Sequence, residues 1–142
     1  MSALSWEISK ENGLVVVRGV GLFNLAFMTS FREAMRAAGA AGYCKLFDLS
    51  RADIEFSRDD LQVMAARTRL ADPLKSGPIA LLLGHEPRPL LVDMAVLLKS
   101  RIGNRRRLRL FLDEADARQW LASEAETQSF QSSISAFHTE SR

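Results

Sequence analysis

Cysteine and histidine are scarce in this chain of 142 residues, which contains one cysteine and two histidines. The single thiol, Cys44, excludes an intramolecular disulfide and fits a reducing compartment, so the sequence predicts a cytoplasmic protein. One cysteine and two histidines do not make a convincing ligand set for a transition metal. The sequence therefore predicts no metal site and no cofactor.

Long apolar segments and a strong net charge are also absent. No apolar run approaches the roughly 18 residues that a membrane span needs, and residues 1–6 lack the pattern of a secretory signal. The formal net charge is only +2, and no aromatic residues interleave with the basic run at residues 105–107. We expect neither a transmembrane segment nor a nucleic-acid partner. We interpret the basic run as a solvated rim, with binding of phosphates or of an anionic membrane surface as the alternative.

What is present is the composition of one folded domain. The apolar fraction is 47% and the charged fraction 25%, which is typical of a globular protein. Residues 123–142 are rich in Ser, Thr, Gln and Glu, although Phe130, Ile134 and Phe137 recur at helical spacing. We assign the domain to residues 1–122 and predict a mobile polar tail for residues 123–142, with a partly helical, docked segment as the alternative.

The first residues predict a β-hairpin. Leu4, Trp6 and Ile8 alternate with polar neighbours, and the apolar run at residues 14–17 follows after a short gap. Asn12-Gly13 lies in that gap and predicts a tight type I′ turn, in which both central residues have positive φ.

Strands and helices alternate after the hairpin. Short apolar runs predict buried strands, and apolar residues at helical spacing predict helices. The predicted strands cover residues 43–49, 79–83 and 107–112, and the predicted helices cover residues 24–38, 57–71, 89–102 and a short segment after Asp113. Because each helix returns the chain in the same direction, this order predicts a single α/β domain: a mixed sheet, antiparallel in the hairpin and then parallel, flanked by helices.

Two segments resemble a known family. Residues 46–50 read Leu-Phe-Asp-Leu-Ser and precede a capped helix, as in the core of STAS domains. Residues 107–121 are similar to the ending of SpoIIAA-like proteins, in which a strand leads through an acidic turn into a helix that closes on Ala-x-x-Trp-Leu. The resemblance spans roughly residues 4–122 and implies a SpoIIAA-like STAS domain, with an architecture that is also similar to SEC14-type lipid-binding domains.

The resemblance also implies a regulatory serine, but this chain departs from the family motif. Anti-anti-sigma factors of the STAS type have a phosphorylatable serine in an Asp-Ser-Ser-Gly stretch after the central strand. Here the corresponding segment is Ile-Glu-Phe-Ser-Arg-Asp at residues 54–59, so Ser57 is the candidate phosphorylation site. Its alternative role is that of a helix N-cap, since Asp60 follows three residues later.

Candidate binding residues lie where the interior strands end, because ligands of parallel sheets meet the loops beyond the carboxyl ends of the strands. Those loops are predicted at residues 50–56 and 84–88. Asp48 is expected either to bind a partner there or to accept hydrogen bonds from the amide N–H groups of its own loop. His85 and Glu86 are neighbours in the sequence, so their side chains point apart and are poorly aligned for a catalytic dyad. The candidates in this region are Asp48, Ser50, Arg51, Ser57 and His85.

The third predicted helix has a broader apolar surface than one sheet face needs. Its large apolar residues are Leu90, Leu91, Met94, Leu97 and Leu98. Such a helix closes a deep core, lines an apolar ligand cavity or forms a homodimer seam. Leu91, Met94 and Leu98 are the candidate partner- or ligand-binding residues on it.

Taken together, these features predict a non-catalytic binding or regulatory module that acts on a protein partner or on its own copy. The alternative is a carrier or sensor of a small apolar ligand such as a lipid, which requires a sizeable closed cavity beneath the third helix. An enzyme is not predicted, because no nucleophile, base and orienting group occur together in the sequence.

Overall fold

The computed structural model describes residues 3–71, 75–103 and 107–140, with side chains described as far as residue 127. The strands are β1 (Leu4–Ser9), β2 (Leu14–Gly19), β3 (Leu22–Asn24), β4 (Cys44–Asp48), β5 (Asp53–Glu55), β6 (Ile79–Leu82) and β7 (Leu108–Phe111). The helices are α1 (Leu25–Ala38), α2 (Arg58–Leu70), α3 (Pro89–Ile102) and α4 (Glu114–Glu140).

The main sheet has five strands in the order β1-β2-β4-β6-β7. β1 pairs with β2 in the antiparallel sense, and β2-β4, β4-β6 and β6-β7 are parallel pairs. The predicted mixed sheet is therefore confirmed. β4 is its central strand, and its first four residues are buried, as expected of a strand covered on both faces.

The hairpin is confirmed, but the predicted type I′ turn is wrong. Ser9 pairs with Leu14, so four residues rather than two connect the strands. Gly13 has φ 59°, whereas no described residue other than glycine has positive φ, so Asn12 does not adopt the required conformation. The Asn12 amide N–H instead donates to Ser9 Oγ at 3.3 Å, because a longer loop leaves room for a side chain to organise it.

The sequence locates the ends of α1 and α2 correctly. Asn24 Oδ1 accepts a hydrogen bond from the Phe27 amide N–H at 2.9 Å, and Gly39 ends α1 in the left-handed region with φ 70°. At α2, Ser57 Oγ accepts from the Asp60 amide N–H at 3.0 Å, while Asp60 Oδ2 accepts from the Ser57 amide N–H at 2.9 Å. This reciprocal capping box satisfies amides that the first turn leaves free.

α3 and α4 also begin where predicted. Pro89 is at the first turn of α3, where its missing N–H costs no hydrogen bond. The Ala115 amide N–H donates to Asp113 Oδ1 at 2.8 Å, as expected if Asp113 caps α4. α4 then continues without a break to Glu140, through the segment assigned from the sequence to a polar tail.

A second, two-stranded sheet was missed by the sequence analysis. β3 and β5 pair in parallel, with Phe23 opposite Ile54, and β5 lies within the predicted loop at residues 50–56. Each strand has only three residues, too few to show a period of two. The pairing places the buried side chains of Phe23 and Ile54 in the core, so this loop is held by its own small sheet.

The two faces of the main sheet are covered differently. α1, α2 and α3 cover one face, where Phe47 and Leu81 join the larger apolar cluster. α4 covers the other face, where Leu46 of β4 packs with Ala117 and Leu121. Since successive side chains of a strand point to opposite faces, residues 44, 46 and 48 face α4, while residues 45 and 47 face the three-helix layer.

Candidate functional site

The predicted site region surrounds the carboxyl ends of β4 and β6. We call it the carboxyl edge and define it by residues 48–57 and 83–90, with Arg18 and Glu114 beside them. Asp48, the last residue of β4, organises the first loop: its Oδ1 accepts hydrogen bonds from the Ser50 amide N–H at 3.1 Å and from Ser50 Oγ at 2.6 Å. Asp48 therefore caps its own loop in the manner of an Asx turn.

Asp48 is also part of a four-residue charge network. Arg18 Nη1 donates to Asp48 Oδ2 at 3.2 Å, and the same guanidinium donates to both carboxylate oxygens of Glu114, at 2.9 and 3.2 Å. Arg118 Nε donates to Glu114 Oε2 at 2.8 Å. The hydrogen bonds from Arg18 and then Arg118 lower the pKa of Glu114 from 4.5 to about 2, and the Glu114 contact raises the pKa of Arg18.

A second ion pair holds the loop that leads into α3. Arg88 Nη1 donates to Asp53 Oδ1 at 2.6 Å, and Arg88 Nη2 donates to the Ala52 carbonyl oxygen. Arg88 thus connects the chain just before α3 to β5, across the carboxyl edge. Arg18, Arg88 and Glu114 could not be identified from the sequence, because the Arg18–Asp48, Arg18–Glu114 and Arg88–Asp53 contacts join residues that are 30 to 96 positions apart.

The remaining candidates at this edge are exposed. Ser50, Arg51, Ser57 and His85 all present their side chains to solvent, and Ser57 serves as the acceptor of the α2 cap. The structure brings these residues to one edge of the sheet. It joins only Asp48 and Ser50 directly by a side-chain hydrogen bond.

The candidate residues on α3 are divided between the core and the surface. Leu91 and Leu98 are 3% and 1% exposed, so they pack in the core and offer no surface to a partner. Met94 is half-buried against the same core. The apolar surface of α3 comes instead from Leu90, which is 69% exposed, and from Val96 and Leu97. Leu90 is in the first turn of α3, at the carboxyl edge.

A groove opens at the opposite end of the molecule, between the second halves of α1 and α2. This α1–α2 groove has a volume of about 430 Å³. Its apolar lining is formed by Met28, Phe31, Met35, Ala41, Phe47, Met64, Ala71, Ile79 and Ile102. The cavity predicted by the ligand-carrier alternative was to lie beneath α3, whereas Ile102 is the one α3 residue among the described residues that line this groove.

Basic side chains line the same groove. They are Arg32, Arg36, Lys45, Arg67 and Lys75. The ammonium group of Lys45 is buried and donates to the carbonyl oxygens of Ala41 at 2.7 Å and Tyr43 at 2.9 Å. None of the described residues that line the groove carries a carboxylate.

Two features are absent from the described part of the chain. No helix there combines the length and the apolar character needed to cross a bilayer. Within residues 3–71, 75–103 and 107–127, no three metal-binding side chains come together in one group.

The buried thiol of Cys44 has a raised pKa because of its burial, so it is a structural residue of the α4 face rather than a reactive one.

Solved structures similar to this chain have the same architecture. A Shewanella loihica protein of the DUF3478 family, described as having a SpoIIAA-like fold, matches with a TM-score of 0.52 at 17% identity, over 84% of this chain and 93% of its own. The anti-sigma factor antagonist SpoIIAA in its unphosphorylated form matches with a TM-score of 0.51 at 15% identity, over 84% and 98%. An anti-sigma factor antagonist from Mycobacterium paratuberculosis matches with a TM-score of 0.51 at 16% identity, over 86% and 95%. No family model and no curated protein matches the sequence.

Proposed function

Since this chain has the SpoIIAA-like fold that its sequence resembles, we propose that it is a non-catalytic binding module that docks a protein partner on its carboxyl edge. The observation that carries the proposal is Leu90, a large apolar side chain that is 69% exposed beside the Arg88–Asp53 ion pair. Exposed apolar surface rimmed by polar groups marks protein-binding sites, so we place Leu90 at the centre of the proposed contact.

The charges at this edge support binding rather than catalysis. A general acid or base works best when its pKa is near the working pH. Glu114 has a pKa of about 2 and is fixed by two arginines, so it stays ionised and holds the edge in place. Two of the structural neighbours are named as antagonists of anti-sigma factors, which agrees with a protein as the partner class.

Ser57 is the proposed point of regulation at this edge. Its side chain is exposed and lies at the start of α2, where a modification would be accessible. A phosphate there would meet the carboxylates of Asp59 and Asp60 in the first turn and would disturb the capping box. Phosphorylation would therefore change the same surface that is proposed to dock the partner.

The test compares two exposed leucines at opposite ends of the molecule. The purified full chain is immobilised and used to capture proteins from its source cells, which are identified by mass spectrometry. We expect Leu90→Asp to lose a partner that Leu70→Asp retains, because Leu70 is 89% exposed at the far end of α2. Equal capture by both variants would contradict docking at the carboxyl edge.

Two further measurements distinguish regulation and self-association. Ser57→Asp should weaken capture of the same partner relative to Ser57→Ala if a charge at this position regulates docking. Light scattering after size-exclusion chromatography reports a homodimer, which Leu90→Asp should dissociate if the partner is a second copy. A monomer that captures no protein at any salt concentration would overturn the proposed function.

A further inference from the structure

The α1–α2 groove combines an apolar interior with a cationic rim. Phe31, Met35 and Phe47 are buried core residues that also line the groove, so its inner wall is hydrocarbon. Arg32 and Arg36 are exposed on α1, and Lys75 is exposed just beyond α2. A ligand that fills this groove meets apolar surface inside and positive charge outside.

The rim charges have few partners among the described residues. Arg32 and Lys75 form no ion pair within residues 3–71, 75–103 and 107–127. Arg36 meets Glu33 at 3.8 Å, a long contact between two exposed side chains that is worth little. Arg67 Nη1 donates a hydrogen bond to Thr29 Oγ1 at 3.1 Å, and this hydroxyl acceptor carries no charge. Among the described residues, the rim charges are therefore largely without an acidic partner.

We propose that the α1–α2 groove binds a long-chain carboxylate, with its hydrocarbon chain inside the groove and its carboxylate at the arginine rim. A guanidinium matches a carboxylate with two parallel hydrogen bonds, which favours this head group over a neutral one. The volume of about 430 Å³ is in the lower part of the range for small-molecule sites, so it suits one chain rather than two.

The side chains of the wall suit a flexible chain. Met28, Met35 and Met64 all line the groove. Methionine is unbranched and polarisable, so it adapts to irregular apolar ligands. The site is at the opposite end of the sheet from the carboxyl edge, and its occupation does not depend on the proposed protein docking.

The test is isothermal titration calorimetry on the full chain with dodecanoate below its micellar concentration. We expect one saturable site for dodecanoate. Dodecan-1-ol and dodecyltrimethylammonium should each bind at least about tenfold more weakly, since a tenfold difference in affinity corresponds to one modest charge interaction. Inorganic phosphate alone should not bind measurably. Equal binding of the alcohol would overturn the anion-specific proposal, and absence of dodecanoate binding would overturn it entirely.

Variants locate the site. Arg32→Glu combined with Arg36→Glu should weaken dodecanoate binding at least about tenfold, whereas Arg69→Glu, an exposed change on α2 outside the groove, should leave it within about twofold. Thr68→Trp should abolish binding by filling the groove, provided that circular dichroism shows a folded protein. The surface variants keep the test decisive if Thr68→Trp does not fold. Unchanged binding in the double variant would place the ligand elsewhere and contradict the proposal.

Discussion

The carboxyl edge and the α1–α2 groove are at opposite ends of the same strands, and they differ in how their charged side chains are paired. At the carboxyl edge, Arg18 is neutralised by Glu114 and Asp48, and Arg88 is neutralised by Asp53. Among the described residues that line the groove, five are basic and none carries a carboxylate. The charges at the edge fix the loops, whereas the exposed charges at the groove rim are the ones proposed to bind a ligand.

The largest expected effect concerns Phe47, one of the residues that line the groove and also belong to the core. Phe47 is 1% exposed, and its ring is 5.4 Å from that of Phe23 and 5.2 Å from that of Phe31. Phe47→Ala should lower the free energy of unfolding by about 3–5 kcal/mol, measured by urea denaturation, because it leaves a cavity among packed rings. A loss below about 1.5 kcal/mol would show that the groove wall is not part of the core.

The next effect concerns the cap at the carboxyl edge. Ser57→Ala removes the acceptor of the Asp60 amide and should lower the free energy of unfolding by about 1 kcal/mol. Ser57→Asp keeps an acceptor at the N-cap and should recover most of that loss. Urea denaturation of the three proteins measures both changes. If Ser57→Asp is as unstable as Ser57→Ala, the capping role does not explain the stability of α2.

A smaller, pH-dependent effect concerns the ion-pair network. Glu114→Gln should lower the free energy of unfolding by about 0.5–1 kcal/mol at pH 7, a value reduced for screening because the Glu114 side chain is 36% exposed. Its pKa is about 2 in the folded protein and 4.5 ordinarily. The stabilisation is therefore fully present above pH 4.5 and is lost as the pH falls towards 2.

Urea denaturation of both proteins between pH 2 and pH 7 checks this. The difference between the native protein and Glu114→Gln should shrink below pH 4.5, whereas the exposed control Glu126→Gln should show a smaller difference at pH 7. A difference that stays constant across this range would mean that the carboxylate of Glu114 stabilises the fold by packing and not by its charge.

The smallest expected effect is on the stability of the two leucine variants, and it tests whether Leu90 contributes to the fold or only to binding. Leu90→Asp and Leu70→Asp both replace exposed leucines, so each should change the free energy of unfolding by less than about 0.5 kcal/mol. Thermal and urea denaturation should show the same stability for the two variants. A large loss in Leu90→Asp alone would show that Leu90 packs as a core residue, and the edge would lose its apolar contact patch.

Much of the fold could be predicted from the sequence, because its cues are local. The hydrophobic periods predict the helices, Asn24 and Ser57 mark the beginnings of α1 and α2, and Pro89 marks that of α3. The short apolar runs predict the buried strands of the sheet. Three-residue strands such as β3 and β5 lack a detectable period, since their pairing depends on tertiary contacts.

The candidate site could be predicted only in part. The carboxyl ends of parallel strands identify Asp48 and its loop, but the partners of Arg18 and Arg88 depend on how distant segments pack. The burial of Leu91 and the exposure of Leu90 depend on the rotation of α3 about its axis, which a nearly uniform apolar helix does not reveal. The groove depends on the spacing between α1 and α2, which no local pattern encodes.

The direction of α4 has a practical consequence for the design of fusions. The helix begins beside Asp48 at the carboxyl edge, and by Glu124 it has reached Arg107, which immediately precedes β7 at the opposite end of the strands. Its 27 residues make a rod of about 40 Å, roughly three times the length of the four-residue strand β6. A label attached after residue 140 is thus carried away from the proposed docking surface, whereas one attached ahead of Leu4, which pairs with Gly19, would sit beside it.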